Sequence, residues 1–299
     1  MKSIFFIGKG GVGKSTLAAL GGLYLARKNI RALLMSMDPA HNLSDFFQTN
    51  LSTKTVSCLS GLSLIEINIT DWTEKYLDGI KKQMQRSYRY LTTFNLEHHF
   101  DVIRHSPAIE EYALLLAFQH YFRENQSYDA IILDMPPTAL TLKFFNLPWL
   151  SLIWLNELKD LRQHINEKKE AIARIKKDKK YLPDKIQDNL SNQVDSYQNI
   201  QILFADPEQV CLMLVSNSDD LSISETKRIL NRLRELKIQV ASILINKWTG
   251  SEIPPQFLGI NRATTCQTIP LSQNRLIGKE PLQRFLEENM YVFDSFMPL

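Results

Sequence analysis

The chain has 299 residues, 44% of them hydrophobic and 22% charged, with 35 Lys+Arg against 32 Asp+Glu for a formal net charge of +3. A chain of this size buries about three quarters of the surface its unfolded form exposes, so it needs neither disulfides nor a structural metal to hold a core. The balance excludes global disorder, and a charge of +3 does not by itself imply nucleic acid as a partner.

Cys58, Cys211 and Cys266 are widely spaced, and no CxxC pair occurs. That pattern removes zinc ribbons and thioredoxin-like motifs, and it fits a reducing, cytoplasmic setting. Residues 4–7 form an apolar run too short for a signal peptide. The apolar stretch 144–155 is broken by Asn146, Pro148 and Ser151, short of the about 20 apolar residues that span a bilayer.

In chain order, apolar runs predict strands at 3–7, 32–37, 64–68, 130–133, 210–215, 241–245 and 267–271. Their near-continuous Ile, Leu and Val content suits parallel strands covered on both faces. Helical patterns fall at 14–28, 222–236 and 281–289. The alternation predicts an α/β fold with a doubly wound, mostly parallel sheet. Residues 71–126 and 148–201 do not fit the alternation. They predict a helical subdomain beside the sheet, within a single domain spanning 1–299. The second of these spans begins apolar, with Trp149, Leu150, Ile153, Trp154, Leu158 and Leu161, and ends basic. From Lys159 to Lys185 the net charge is +5.

Gly8-Lys9-Gly10-Gly11-Val12-Gly13-Lys14-Ser15 matches G-x-x-x-x-G-K-[ST], with a strand before it and a helix opening at Ser15-Thr16. Glycines let backbone N–H groups turn inward around phosphate oxygens, and the helix N-terminus adds its positive end. The pattern assigns Lys14 to the β- and γ-phosphates of ATP and the Ser15 hydroxyl to Mg²⁺. Ile131-Ile132-Leu133-Asp134 is an apolar strand ending in a carboxylate, which places Asp134 on Mg²⁺ or its waters. Asp38 ends the second strand and is suited to orienting an attacking water.

Lys9, just after the first glycine, resembles the signature lysine of deviant Walker A ATPases. Asp38-Pro39-Ala40-His41-Asn42-Leu43-Ser44-Asp45 resembles switch I of the family containing the arsenite-pump ATPase and the ATPase that targets tail-anchored membrane proteins. Asp134-Met135-Pro136-Pro137-Thr138-Ala139-Leu140-Thr141-Leu142 resembles its switch II, DTAPTGHTL, with the Gly and His replaced. Leu64-Ile65-Glu66-Ile67-Asn68, Pro107–Glu111, Ile245-Asn246-Lys247, and Ile269-Pro270-Leu271 followed by Gly278 extend the resemblance over nearly the whole chain.

The resemblance implies a Mg²⁺-dependent ATPase working as a homodimer, with Lys9 reaching the partner's nucleotide. It places Asn42, Asp45, Pro137 and Thr138 in the switches, and Asn246 and Pro270 at the adenine. It implies a carrier or targeting factor for hydrophobic protein segments, with a membrane-protein partner or the periphery of a membrane as its place of action. Two alternatives stay open: the energising subunit of an arsenite or anion efflux pump, and a Min/Par-type positioning switch. The scattered cysteines predict neither zinc nor an iron–sulfur cluster, and no nucleic acid is expected.

Overall fold

The computed structural model describes residues 1–39, 42–51, 54–87, 108–175, 184–257 and 264–298. Strands β1 (Lys2–Gly8), β2 (Ala32–Ser36), β3 (Val56–Leu59), β4 (Leu62–Glu66), β5 (Ala130–Asp134), β6 (Val210–Ser216), β7 (Val240–Trp248) and β8 (Thr265–Pro270) form one sheet. Their order is β3-β4-β2-β5-β1-β6-β7-β8. Every neighbouring pair is parallel except β3 and β4, which are antiparallel.

The expected α/β fold with a mostly parallel sheet is therefore present. The sequence reading misses β3 and sets β4 two residues late. Val56-Ser57-Cys58-Leu59 is a half-exposed edge strand without a continuous apolar run, so it lacks the signature of a strand covered on both faces.

Among the described residues the α-helices are α1 (Lys14–Arg27), α2 (Asn42–Phe47), α3 (Ile69–Ser87), α4 (Ile109–Glu124), α5 (Thr138–Ile175), α6 (Lys185–Ala205), α7 (Asp220–Glu235), α8 (Lys279–Glu288) and α9 (Met290–Phe296). Alternation along each strand sorts them into two layers. Phe5, Ile7, Leu33, Met35, Ile131 and Leu133 face a core closed by α4, α5, α6 and α7. Ile4, Phe6, Leu34, Ile132 and Met213 face a second core closed by α1, α2, α8 and α9.

On the first face, Phe5 meets Phe118 of α4, Phe144 and Phe145 of α5 and Phe204 of α6, at centroid distances of 5.3 to 6.3 Å. Edge and tilted ring contacts of this kind add to burial and fix the three helices to the central strand. On the second face, Val292, Phe293 and Phe296 of α9 are buried, so this terminal segment turns its apolar side inward.

Within the expected helical spans lie α4 and most of α3, α5 and α6; residues 88–107 and 176–183 of those spans fall outside the described residues. Helix α5 starts at Thr138, before the expected helical span beginning at 148, and runs through Pro148. A proline inside a helix removes one hydrogen bond. Here Pro148 is buried between the core residues Leu147 and Leu152, and tertiary packing outweighs local propensity. By length and composition, Thr138–Ala173 could cross a membrane, whereas the sequence reading rejects a span on the broken apolar stretch 144–155; 50% of its most apolar window is buried inside the fold.

Candidate nucleotide site

Strands β1, β2, β5, β7 and β8 end at one edge of the sheet, where the loops after β1, β2 and β5 and the ends of β7 and β8 line a cavity of about 650 Å³. Its walls include Gly10, Gly11, Gly13, Lys14, Ser15, Thr16, Asp38, Pro137, Asn246 and Pro270. Ten of the residues expected at the site, taken from five separate stretches of sequence, thus share one cavity.

The loop between β1 and α1 depends on glycine at two points. Gly8 has φ 148°, and a Cβ there would run into the Val215 carbonyl of β6. Gly13 has φ 99°, and a Cβ there would strike the Asn246 amide. Both conformations are cheap only without a side chain. Gly13 also starts α1 without a side-chain cap, and no acidic residue lies in the first turn. The first intrahelical bond, Leu17 N–H to Gly13 O at 3.0 Å, leaves the N–H groups of Lys14, Ser15 and Thr16 without helical partners. Three donors and the positive end of the helix dipole are therefore directed at one place, which is the makeup of a phosphate site.

Asn246 and Lys247 brace this loop from β7. Asn246 Nδ2 donates to Val12 O at 2.7 Å, and Lys247 Nζ donates to Gly11 O at 3.3 Å. Because the Asn246 NH₂ is engaged, its carbonyl oxygen is the end left to accept a hydrogen bond.

Behind the loop, Lys14 is buried and its ammonium donates to Lys9 O at 3.4 Å. Burial lowers its pKa, while the charges of Asp134 and then Asp38 act to raise it. Asp134 is 0% exposed, and neither oxygen accepts a well-formed hydrogen bond. Burial pushes its pKa up to about 7; the nearby Ser15 hydroxyl and Lys14 charge pull the other way, and Asp38 adds to the rise. A carboxylate sealed from water without partners is costly, and a bound cation removes that cost. Asp134 and the Ser15 hydroxyl therefore form an oxygen donor set that fits Mg²⁺, which takes few protein ligands and keeps its waters.

Several expected residues lie outside the cavity wall. Gly8 ends β1, and Val12 is buried beneath the loop. Lys9 is half-exposed, and its charge helps to lower the pKa of Asp219, the capping residue of α7. Asp45 is exposed in the first turn of α2, and Asn42 opens that helix. Thr138 opens α5 with its hydroxyl buried and unpartnered. Ala40 and His41 lie outside the described residues.

The cavity has an apolar end that the sequence reading did not specify. Phe46, Leu276, Ile277 and Phe285 line it, with Arg275 and Asn274 from the stretch between Pro270 and Gly278. The only sequence signal was the resemblance of that stretch to a closing loop.

Comparison with known proteins agrees with this geometry. The family profile described as anion-transporting ATPase matches residues 1–270. An Aquifex aeolicus protein provisionally named arsenical pump-driving ATPase 2 is 27% identical over 317 residues, covering 100% of both chains. A Prosthecochloris vibrioformis protein provisionally named arsenical pump-driving ATPase is 30% identical over 256 residues, 83% of this chain and 61% of its own length. ATPase GET3A of Arabidopsis thaliana is 27% identical over 255 residues, 83% of this chain and 67% of its own. With a phosphate-binding loop at the sheet edge and a family match over most of its length, this chain belongs to the anion-transporting ATPase family and is an ATPase.

Proposed function

We propose that this ATPase is a Mg²⁺-dependent dimeric switch that carries hydrophobic protein segments. The observation that carries the reading is the exposed apolar stripe on α5. Leu150, Ile153, Trp154 and Leu161 are exposed on a helix that begins at Thr138, beside the nucleotide cavity. Ile153 and Trp154 are each 66% exposed. A contiguous exposed apolar face on a folded protein marks an interaction surface, and helix recognition uses anchors at this three- and four-residue spacing.

In this reading the α1 N–H groups and Lys14 hold the β- and γ-phosphates, with Ser15 and Asp134 holding the metal. Mg²⁺, when bound, neutralises charge on the transferring phosphoryl group. Asp38 accepts a hydrogen bond from the attacking water and aligns its oxygen with the γ-phosphorus, opposite the bond to the leaving ADP oxygen. Lys9 supplies positive charge to the partner's nucleotide when two protomers close. Asn246, fixed through Val12, offers its carbonyl to the exocyclic amino group of adenine. Closure and reopening move α5 through Pro137 and Thr138, and so load and release the segment. The reading places the protein in a reducing cytoplasmic setting, at the periphery of a membrane when loaded.

The test uses an Asp38→Asn chain held with Mg-ATP and offered hydrophobic helical segments displayed on a soluble carrier. Retention that needs ATP and is lost in an Ile153→Gln, Trp154→Gln variant supports the reading; no retention sinks it. Lys9→Ala should lower turnover at least about a hundredfold. Wild-type turnover in that variant removes the proposed contact across the dimer.

A pump-driving role is favoured by the names of two relatives. The thiols speak against it. Cys58 and Cys266 lie on the two opposite edge strands, β3 and β8, and Cys211 lies on β6. At about 4.8 Å between neighbouring strands, the edges are on the order of 30 Å apart. Stimulation of turnover by arsenite or antimonite would favour this second reading.

A further inference from the structure

Glu66 ends β4 and is buried, yet it does not line the nucleotide cavity. Its register partner on β2 is Ser36, two residues before Asp38. From there its side chain reaches α2. The Ser44 backbone N–H donates to one carboxylate oxygen at 2.9 Å, and the Ser44 hydroxyl donates to the other at 2.8 Å. Ser44 is the third residue of α2, so its N–H is one of the donors that a helix start leaves without an intrahelical partner. Glu66 thus caps α2 from a neighbouring strand, with a carboxylate that uses both oxygens.

The other end of α2 is held as well. The Phe46 carbonyl accepts from the Gly278 N–H at 2.9 Å, and Leu43 and Phe47 are buried in the second core. Between Asp38 and α2 there are only Pro39, Ala40 and His41. A connection of four Cα steps spans at most about 14 Å, so the start of α2 stays within that reach of Asp38.

We infer that Glu66 is a positioning residue for ATP hydrolysis: by gripping Ser44 through both carboxylate oxygens it fixes the start of α2, and with it the place of Asp38 in the cavity. This rests on the reading of Asp38 as the group that orients water. Glu66 does not line the cavity; it acts through Ser44 and the segment behind it.

Steady-state turnover of the full chain with Mg-ATP, ADP affinity by titration calorimetry, and thermal melting together test the inference. Glu66→Ala should lower kcat about tenfold, the scale of losing charge-assisted hydrogen bonds at a helix start, with ADP affinity within about twofold. Glu66→Gln, which keeps a carbonyl acceptor, should recover most of the loss. Adding Ser44→Ala to Glu66→Ala should cost nothing more, and adding Glu66→Ala to Asp38→Asn should likewise leave the residual rate unchanged.

Unchanged kcat in Glu66→Ala overturns the inference. So does a parallel fall of kcat, ADP affinity and melting temperature, or a multiplicative loss in either double variant. If Glu66→Ala does not fold, the Glu66→Gln and Ser44→Ala pair decides by the same non-additivity. Full turnover in Asp38→Asn alone sinks the reading of Asp38; an unaffected Glu66→Ala beside an inactive Asp38→Asn sinks only the role of Glu66.

Discussion

Around the phosphate loop, Lys14, Asp38 and Asp134 are charged groups taken out of water; along the middle of α5, Leu150, Ile153, Trp154 and Leu161 are apolar groups left in it. Both regions depart from the usual partition, in opposite directions. The first departure is bounded by partners: the buried charges sit within reach of one another, and the loop is braced from β7. The second has an anchored end and an open one. Phe144 and Phe145 pack into the ring cluster around Phe5, while Ile153 and Trp154 turn outward two to three helical turns later. Charges buried without full compensation and apolar groups exposed in a row each cost stability, and a ligand relieves either cost.

The largest effect should come from the buried ammonium. Lys14→Met keeps most of the side-chain volume and removes the charge. Turnover should fall about a hundred- to a thousandfold, the range for losing one preorganised donor to developing charge. Turnover within tenfold of wild type would mean that the α1 N–H groups suffice, and that burial of Lys14 serves packing alone.

Asp134→Asn should separate function from stability. Turnover should fall about a hundredfold, because the amide is a poor ligand for a hard cation. Stability of the nucleotide-free protein should move the other way, and with a definite pH dependence. The Asp134 pKa is raised to about 7 when folded, against about 3.9 for an ordinary aspartate. Below about pH 4 the carboxyl is protonated in both states and costs folding nothing. As pH rises, the unfolded chain gives up this proton first, so the wild type loses stability up to about pH 7 and stays penalised above it. The gain in melting temperature from Asp134→Asn should therefore grow from pH 5 to pH 7.5. Adding Mg-ATP should reverse it. A gain that does not vary with pH would mean that the carboxylate is already compensated.

These effects show which features sequence can carry. Gly8, Gly13, Lys14 and Asp134 are legible because loop, charge and helix start are contiguous or end a strongly apolar strand. The parallel sheet is legible because strands covered on both faces leave continuous apolar runs, as in Phe5-Phe6-Ile7 and Ile131-Ile132-Leu133. Strand β3 is not, since half its surface faces outward. Glu66 was visible only as part of a strand match, because its partner Ser44 is 22 residues away and the pairing exists only once β4 and α2 are side by side. Lys247 stands in the Ile245-Asn246-Lys247 match without a role of its own, and Arg275 carries no pattern. The start of α5 is set late for a related reason: burial against distant elements carries the helix through Pro148 from Thr138.

A smaller effect tests what holds the outer half of α5 in place. Arg162 Nε and Nη2 donate to the two carboxylate oxygens of Asp184 at 2.6 and 3.0 Å, and Asp184 also caps α6 through the Ile186 N–H at 3.1 Å. The Arg162 hydrogen bond, aided by Asn166 and Ile186, holds the Asp184 pKa well below the usual carboxylate range. Its stabilising contribution is full above about pH 4 and falls away as the solution is acidified below that point. Asp184→Ala should cost about 1 to 2 kcal/mol at neutral pH, read by denaturant unfolding, with turnover unchanged. A cost that persists undiminished at pH 3 would assign it to packing rather than to the charge.

The smallest effect on stability should come from the groups that look most hydrophobic. Ile153→Gln and Trp154→Gln should each change unfolding free energy by no more than about 0.5 kcal/mol, as for surface positions without special contacts. A buried tryptophan or isoleucine would cost several times that, about 2 to 5 kcal/mol on truncation. Trp149 provides the internal control: it is one helical step away and packs against the first core, so Trp149→Gln should destabilise far more than Trp154→Gln. Equal costs at 149 and 154 would mean that the stripe belongs to the fold. A large difference, joined to loss of hydrophobic-segment retention only in the 153 and 154 variants, would leave binding as the reason for keeping two bulky apolar side chains in water.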